Sequence, residues 1–223
     1  MASLKINVLP NWIRNWYLNL IAPIINLFVR LEVNPNLFTT IGFILTVGAS
    51  VLFATGQLVI AGAIVLLAGT FDIIDGKVAR ATNRVTKFGA LYDSTLDRYA
   101  EVIMFFGLAF YFVKEAMFLT SIAVSFALGG SMMVSYVRAR AEALGFQCKI
   151  GIMQRPERVV YIGFGAIFAF IHMGTLIFAI SLIAILANFT AIQRLHHIWV
   201  SENGKKSEKL TQAELERVGN VEA

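Results

Sequence analysis

Charged residues are scarce in this chain: Asp, Glu, Lys and Arg together make up 15% of its 223 residues. Soluble domains contain about 25%, so the composition excludes an ordinary soluble enzyme. Cys148 is the only cysteine, which excludes an intrachain disulfide and gives no cysteine spacing for a metal site. Hydrophobic residues make up 57% of the chain and its mean hydropathy is +0.70. These values indicate an all-α integral membrane protein.

The net charge of +5 would suggest a nucleic-acid partner in a soluble protein. In a membrane protein the cations have a topological meaning instead, because Lys and Arg collect in the cytoplasmic loops. We therefore expect no nucleic-acid partner, and we use the cations to orient the chain in the membrane.

The first segment, residues 1–33, is predicted to contain an amphipathic juxtamembrane helix. From Leu9 to Phe28 the apolar residues alternate at spacings of three and one, which is typical of a helix with one apolar face. Trp12, Trp16 and nearby asparagines suit a helix that lies in the membrane interface. Pro23 should kink this helix or divide it into two. The alternative is a helix that packs on a soluble core.

Residues 34–200 are predicted to form a domain of six transmembrane helices, followed by a charged cytoplasmic tail, 201–223, that is solvated or partly helical. With about 20 residues needed per span, we expect helices at 37–55, from 59 into an acidic stretch, and at 89–112, 117–144, 155–172 and 175–199. If both termini are cytoplasmic, only Lys114 of the 19 Lys and Arg residues lies in an outer loop. This distribution predicts an N-in, C-in topology.

Four aspartates lie within 26 positions of this membrane-like sequence: Asp72, Asp75, Asp93 and Asp97. A carboxylate inside a membrane segment costs about 2.5–3.5 kcal/mol on insertion scales, so such residues indicate a functional site. Residues three or four apart share one helical face. Each of two helices should therefore present a pair of carboxylates, and the two pairs should meet at the same end of the bundle.

Carboxylates are hard oxygen ligands, which suit Mg²⁺, Mn²⁺ or Ca²⁺. Two divalent cations would balance the four negative charges, and phosphates are the usual substrates of two-metal sites. Gly76 and Ala79 leave room for a bulky ligand beside the carboxylates, and Arg80 could bind a phosphate with two hydrogen bonds.

Two other interpretations of the aspartates remain open. The carboxylates could pair with neighbouring cations, namely Lys77, Arg80, Arg84 and Arg98. The chain could also be an ion-coupled transporter, whose intramembrane carboxylates carry protons or Na⁺. A transporter would favour charges near the midplane and repeats in the two halves, and the sequence shows neither.

The acidic stretch resembles the complete signature of the CDP-alcohol phosphotransferase family. Asp72-x-x-Asp75-Gly76-x-x-Ala79-Arg80 is followed after eight residues by Gly89-x-x-x-Asp93-x-x-x-Asp97. The resemblance implies a membrane enzyme that transfers a phosphatidyl-type group from a CDP-linked lipid to an alcohol and releases CMP. It implies a centre of two Mg²⁺ or Mn²⁺ ions, and a homodimer in the cell membrane with its active site open to the cytoplasm.

The same resemblance assigns roles to individual residues. Asp72, Asp75 and Asp93 would bind the metals, and Asp97 would be a ligand of the second metal or the base that deprotonates the acceptor. The CDP part of the lipid would be held by Asn36, Gly76, Ala79, Arg80 and Thr86.

The acceptor alcohol is suggested by four arginines near the predicted cytoplasmic ends of the last three helices: Arg138, Arg155, Arg158 and Arg194. Several arginines around one cavity favour an acceptor that carries its own phosphate. The runs SYVRARAE, GIMQRPER and AIQR resemble the phosphatidylinositol-phosphate synthase branch of the family, although a lysine is expected in place of Arg138. This branch implies CDP-diacylglycerol as donor and inositol 1-phosphate as acceptor. The alternative acceptor is glycerol 3-phosphate.

Overall fold

The computed structural model describes the backbone of residues 11–219 and the side chains of residues 15–203. Leu9 and Trp12 of the predicted amphipathic pattern lie outside the described side chains. Within this part the regular elements are all helices, joined by loops and without strands, as predicted. The helices are α1 Asn11–Arg30, α2 Pro35–Ala54, α3 Leu58–Ala81, α4 Lys87–Lys114, α5 Phe118–Ala143, α6 Arg155–Ile167 and α7 Gly174–Gly219, with a 3₁₀ turn at Phe168–Phe170.

Helix α1 lies against the start of α2 and the second half of α3. Phe28 packs on Phe38 in a small buried cluster, and the hydroxyls of Tyr17 and Thr70 are 2.5 Å apart. Other apolar residues of the same helix are exposed: Trp16, Leu20, Ile24 and Leu27. One edge of the apolar stripe thus packs on the protein, and the other edge remains free for lipid. The helix continues through Pro23, so the predicted division into two helices is not observed.

The bundle is built from close helix pairs, among them α2 with α3, α2 with α4, α3 with α6, and α5 with α7. Phe53, Phe105 and Phe112 are fully buried in the main apolar core. Helices α3 and α6 approach very closely at Gly62, where a Cβ would lie 2.6 Å from the carbonyl oxygen of Gly163. This approach sets the position of α6 relative to the acidic residues at the other end of α3.

A single short connection, residues 82–86, joins the two acidic helices and brings their aspartates together. Helix α3 ends at Ala81, and α4 begins at Lys87 after the side chain of Thr86 accepts a hydrogen bond from the backbone of Gly89. This is an ordinary N-cap. The last turns of α3 and the first turns of α4 therefore lie at the same end of the bundle.

Four helices in the described part are long and apolar enough to cross a membrane: α2, α3, α5 and the 174–203 part of α7. The chain is an integral membrane protein. Helix α4 has 28 residues but carries several charged side chains, and α6 has only 13 residues before its 3₁₀ turn. The sixth predicted helix does not end at Trp199, because the backbone of α7 remains helical to Gly219. The tail is therefore at least partly helical, as predicted.

Candidate metal centre and active site

Three of the four predicted aspartates form a compact cluster. Asp72 and Asp75 come from α3, and Asp93 comes from the second turn of α4. One carboxylate oxygen of each lies within 4.8 Å of the others, which is close enough for all three to hold one metal ion. The predicted convergence of the two acidic helices is confirmed for these three residues.

Asp75 is the most enclosed of the three, with 7% of its surface exposed. Its Oδ2 accepts a hydrogen bond of 2.8 Å from the Oγ1 of Thr39 on α2. This hydrogen bond orients the carboxylate toward the cluster. Thr39 was not predicted as a site residue, although its position three residues after Asn36 on a helix without charged residues is a usable signal.

Asp93 supplies an observation that tests whether a metal fits here. Its Oδ1 is buried and has no hydrogen-bond partner among the described residues. A buried carboxylate oxygen without a partner carries a large desolvation penalty, which a bound cation would remove. The donors of the cluster are all hard carboxylate oxygens, which suit Mg²⁺ or Mn²⁺ rather than a softer metal. The residues present therefore fit the predicted divalent metal.

Asp97 lies one helical turn after Asp93 and is bound by an arginine from a distant part of the chain. Arg155, at the start of α6, places Nη2 2.7 Å from Asp97 Oδ1 and Nη1 2.6 Å from Asp72 Oδ2. The guanidinium thus joins α3 to α4. The predicted alternative partner Arg98 approaches Asp97 only to 3.9 Å, and Arg84 pairs instead with Glu32. Pairing with neighbouring cations does not account for the acidic cluster.

The residues predicted to hold the CDP group lie in two places around the carboxylates. The guanidinium of Arg80 lies over Gly76, where a Cβ would be 3.2 Å from Arg80 Nη2. On the other side, a Cβ at Gly89 would meet the Thr86 hydroxyl at 3.0 Å and the Asn36 Oδ1 at 3.3 Å. Ala79, one turn after Asp75 on α3, is half-buried. Small side chains therefore keep both approaches open.

The four predicted acceptor arginines have different surroundings, and only Arg155 contacts the aspartates. Arg158 is buried and pairs with Glu101. Arg194 is buried and donates to the carbonyl oxygens of Ile150 and Val134. Arg138 forms a half-exposed pair with Glu142 on its own helix.

A cavity of about 40 Å³ extends from the carboxylates into the bundle. Polar residues of its wall are Thr39, Thr46, Asp72, Asp97, Glu101 and Arg155. The Oε2 of Glu101 is buried without a hydrogen-bond partner in the described part of the chain. Glu101 was not predicted as a site residue, although Asp93, Asp97 and Glu101 follow one another at spacings of four along α4.

The sequence model of the CDP-alcohol phosphatidyltransferase family matches residues 32–200. The chain belongs to this family.

Members of this family resemble the chain over most of its length. It is 37% identical over 188 residues to the archaetidylinositol phosphate synthase of Methanothermobacter thermautotrophicus, covering 82% of this chain and 94% of that protein. The crystal structure of Mycobacterium tuberculosis phosphatidylinositol phosphate synthase with bound CDP-DAG matches with a TM-score of 0.71 and 32% identity, over 79% of this chain and 92% of the other. The structure of the same enzyme with manganese and citrate also has a TM-score of 0.71 and 32% identity, covering 79% and 88%.

Membership of the CDP-alcohol phosphatidyltransferases confirms the prediction of a membrane phosphotransferase. The prediction of a divalent metal is confirmed by the three converging carboxylates and by the manganese complex of the related synthase.

Proposed function

We propose that the protein transfers a phosphatidyl group from CDP-diacylglycerol to inositol 1-phosphate, giving phosphatidylinositol phosphate and CMP. Two named relatives support this choice: one is an archaetidylinositol phosphate synthase, and the other is a phosphatidylinositol phosphate synthase that binds CDP-DAG. The structural observation that carries the proposal is the position of Arg155 among the aspartates.

Arg155 supports an acceptor that carries a phosphate. Its guanidinium lies within 2.7 Å of two carboxylates that face the centre of the site. A guanidinium can bind a phosphate through two parallel hydrogen bonds. An uncharged acceptor such as free inositol would give this cation no anionic partner on the substrate.

The proposed reaction is a single displacement at phosphorus. The hydroxyl oxygen of the acceptor forms a bond to the phosphorus that carries the lipid, and the bond from this phosphorus to the CMP oxygen breaks. The hydroxyl proton passes to the carboxylate of Asp97, whose side chain is 14% exposed. Asp72, Asp75 and Asp93 would hold a divalent metal, and Asp97 would be the ligand of a second ion if it is not the base. The metal would supply positive charge to the pyrophosphate and to the CMP leaving group.

The CDP part of the donor is proposed to contact Asn36, Gly76, Ala79, Arg80 and Thr86. Exposed Arg80 offers a cation to the pyrophosphate, and the short side chains at Gly76 and Ala79 allow the nucleotide to approach α3. The exposed apolar edge of α1 would border the acyl or ether chains of the donor lipid.

We also propose six membrane spans, both termini on the cytoplasmic side and an active site open to the cytoplasm. The charges that keep α4 from resembling a simple span lie mainly in its first half, beside the site, whereas its second half is apolar from Val102 to Val113. Helix α6 and its 3₁₀ turn would form the shortest span. The catalytic domain would comprise residues 34–200, preceded by the interfacial helix 1–33 and followed by the tail 201–223. A homodimer in the cytoplasmic membrane is part of the same proposal, and crosslinking in vesicles tests it.

The acceptor is tested by incubating purified protein with CDP-diacylglycerol, Mg²⁺ and one alcohol at a time, and identifying the lipid product by its mass. The expected product is phosphatidylinositol phosphate, formed together with an equal amount of CMP. Turnover with glycerol 3-phosphate but not with inositol 1-phosphate would instead establish a phosphatidylglycerophosphate synthase. The absence of CMP release with every alcohol would contradict the proposed enzyme and favour an ion-coupled transporter.

A further inference from the structure

A second ion pair, between Glu101 of α4 and Arg158 of α6, lies next to the acidic centre. Only 3% and 1% of these two side chains are exposed. Arg158 Nε donates to Glu101 Oε1 at 2.8 Å, and Nη2 lies 2.6 Å from the same oxygen. Removal of either partner would leave a buried charge without compensation. The Arg158 guanidinium is therefore buried and paired with Glu101, and it is not available to bind a substrate phosphate.

This ion pair follows the ion pair between Asp97 and Arg155 along the same two helices. Asp97 and Glu101 are four residues apart on α4, and Arg155 and Arg158 are three apart on α6, so each set shares one helical face. Helices α4 and α6 are not among the pairs whose backbones pack closely in the described chain. The cavity beside the carboxylates is lined from both helices. The two ion pairs thus connect α4 with α6 across the wall of the active site.

Arg158 also holds the loop that leads into α6. Its Nη1 donates to the carbonyl oxygen of Met153 at 3.2 Å. The backbone N–H of Met153 donates to Thr190 Oγ1 at 3.1 Å, and Arg194 Nε donates to the carbonyl oxygen of Ile150 at 2.7 Å. Loop 145–154 is thereby attached to both α6 and α7.

The local signals at the beginning of α6 are mixed: Pro156 and Glu157 suit the first turn, but other features do not. Gln154 occupies the N-cap position without a side-chain capping hydrogen bond. Arg155 then places a cation in the first turn, where the helix dipole disfavours positive charge. These local signals set where the helix begins, whereas the position of the Arg155 guanidinium in the site depends on tertiary contacts such as those of Arg158.

We propose that Glu101 and Arg158 are positioning residues for Arg155: their buried ion pair and the bond to Met153 hold the first turn of α6 and loop 145–154 so that Arg155 meets the phosphate of the acceptor. The proposal rests on the proposed function only for the identity of that phosphate. It gives Arg158 a role that acts through Arg155 instead of the direct acceptor contact predicted from the sequence.

Cys148 provides a built-in reporter of the loop. It is the only cysteine, it lies in loop 145–154, and its side chain is fully buried. Burial also raises the pKa of its thiol, so the closed loop should react slowly with a maleimide. Loss of the Arg158 contacts should expose the thiol and accelerate its modification.

The main test is the double variant E101Q/R158M in detergent micelles, compared with the wild type. Replacing both charges with neutral residues of similar volume avoids an unpaired buried charge, so the variant should fold with a melting temperature close to that of the wild type. We expect maleimide modification of Cys148 to be about tenfold faster, which corresponds to a loss of about 1.4 kcal/mol from loop closure. A folded double variant with the wild-type modification rate would overturn the proposal.

Two further variants separate loop release from other effects. R158K retains the charge beside Glu101, but a single ammonium group cannot reproduce the guanidinium contacts with both Glu101 and Met153; it should also accelerate modification, which covers the case in which the double variant does not fold. Leu176→Ala creates a cavity in the core at the far end of α7. It should lower the melting temperature yet leave the Cys148 rate unchanged. Equal acceleration in Leu176→Ala would show global unfolding and contradict the proposal.

Kinetics give an independent readout. The double variant should raise the KM for the acceptor about tenfold while the KM for CDP-diacylglycerol stays the same, and it should add little when Arg155→Lys is already present. Equal changes in both KM values would overturn the positioning role. The cysteine assay needs no acceptor, so it remains decisive if the wild type prefers an alcohol other than inositol 1-phosphate. In that case the proposed function fails, and the kinetic comparison is repeated with the preferred alcohol.

Discussion

Arg155 Nη1 lies 2.6 Å from Asp72 Oδ2, although the two residues are 83 positions apart in the chain. This contact brings the start of α6 into the acidic centre formed by α3 and α4. It places a cation predicted to serve the acceptor beside a carboxylate predicted to bind metal. Substitutions can separate acceptor binding by the arginine from metal binding by the aspartate.

Asp93→Asn should weaken metal binding at the site. An amide oxygen is a weaker ligand than the carboxylate whose buried Oδ1 has no other partner, so CMP release should fall by about two orders of magnitude or more. Mn²⁺ binding, followed by electron paramagnetic resonance, should weaken in parallel. The control is Glu115→Gln, an exposed change beyond the far end of α4, and normal Mn²⁺ binding by Asp93→Asn would refute the ligand role.

Removal of divalent metal should reduce stability as well as activity. A cation that binds only the folded protein stabilises it by about 2.7 kcal/mol when its concentration is 100 times its dissociation constant. The melting temperature in detergent should therefore rise on titration with Mn²⁺ or Mg²⁺ and fall with EDTA. The same titration of Asp93→Asn should give a smaller shift, and an equal shift in both proteins would place the stabilising ion elsewhere.

Thr39→Val should weaken metal binding without removing a ligand. The substitution keeps the shape of the side chain but deletes the 2.8 Å hydrogen bond to Asp75. Loss of such an orienting contact typically costs 10–100-fold in metal affinity, so we expect about tenfold. Thr55→Val is a suitable control, because Thr55 is exposed and its hydroxyl bonds only to carbonyls of its own helix. The two Mn²⁺ affinities should differ; identical values would exclude an orienting role.

Arg155→Lys should affect the acceptor more than the lipid donor. A lysine keeps the charge but cannot bond to Asp72 and Asp97 with two separate nitrogens or bind a phosphate with two hydrogen bonds. The KM for inositol 1-phosphate should rise about 10- to 100-fold, equivalent to about 1.4–2.8 kcal/mol. Lys149→Gln, in the neighbouring loop and exposed, should have little effect. A rise confined to the KM of CDP-diacylglycerol would contradict the assignment.

Gly62→Ala should destabilise the contact between α3 and α6. The added Cβ would lie 2.6 Å from a backbone carbonyl oxygen and 2.9 Å from the Cβ of Ala166, so the helices must separate, at a cost of about 1–3 kcal/mol. Gly129→Ala is the matched control, because its Cβ would meet nothing within 4 Å. It should be neutral or stabilising by up to about 1 kcal/mol. Melting temperatures of the two variants in the same detergent provide the comparison.

Much of the architecture follows from local sequence. The low charge and the long apolar stretches determine a helical membrane protein, since backbone polar groups in lipid must be satisfied within the helix. Asn34 and Pro35 mark the start of α2, and Thr86 marks the start of α4, through capping that depends on neighbouring residues alone. Regular helical spacing also determines that Asp72 and Asp75 share a face, as do Asp93 and Asp97.

Helix ends without such signals were less predictable. The fifth predicted helix extends to residue 172, but α6 ends at Ile167 and tightens into a 3₁₀ turn. The sequence there stays apolar, so hydropathy does not mark the change. For α3 the prediction was correct: the apolar run 59 to 71 continues as one helix into the charged acidic stretch.

The contacts between distant segments were decided only by tertiary packing. Thr39 reaches Asp75 because α2 packs on α3, and Arg155 reaches Asp72 because Gly62 and Gly163 let α3 and α6 approach closely. The sequence by itself determined that the chain lies in a membrane and carries four carboxylates suited to a divalent metal. Helix packing decided which cations meet those carboxylates and which arginines are buried inside the protein, since both depend on backbone distances between residues far apart in the chain.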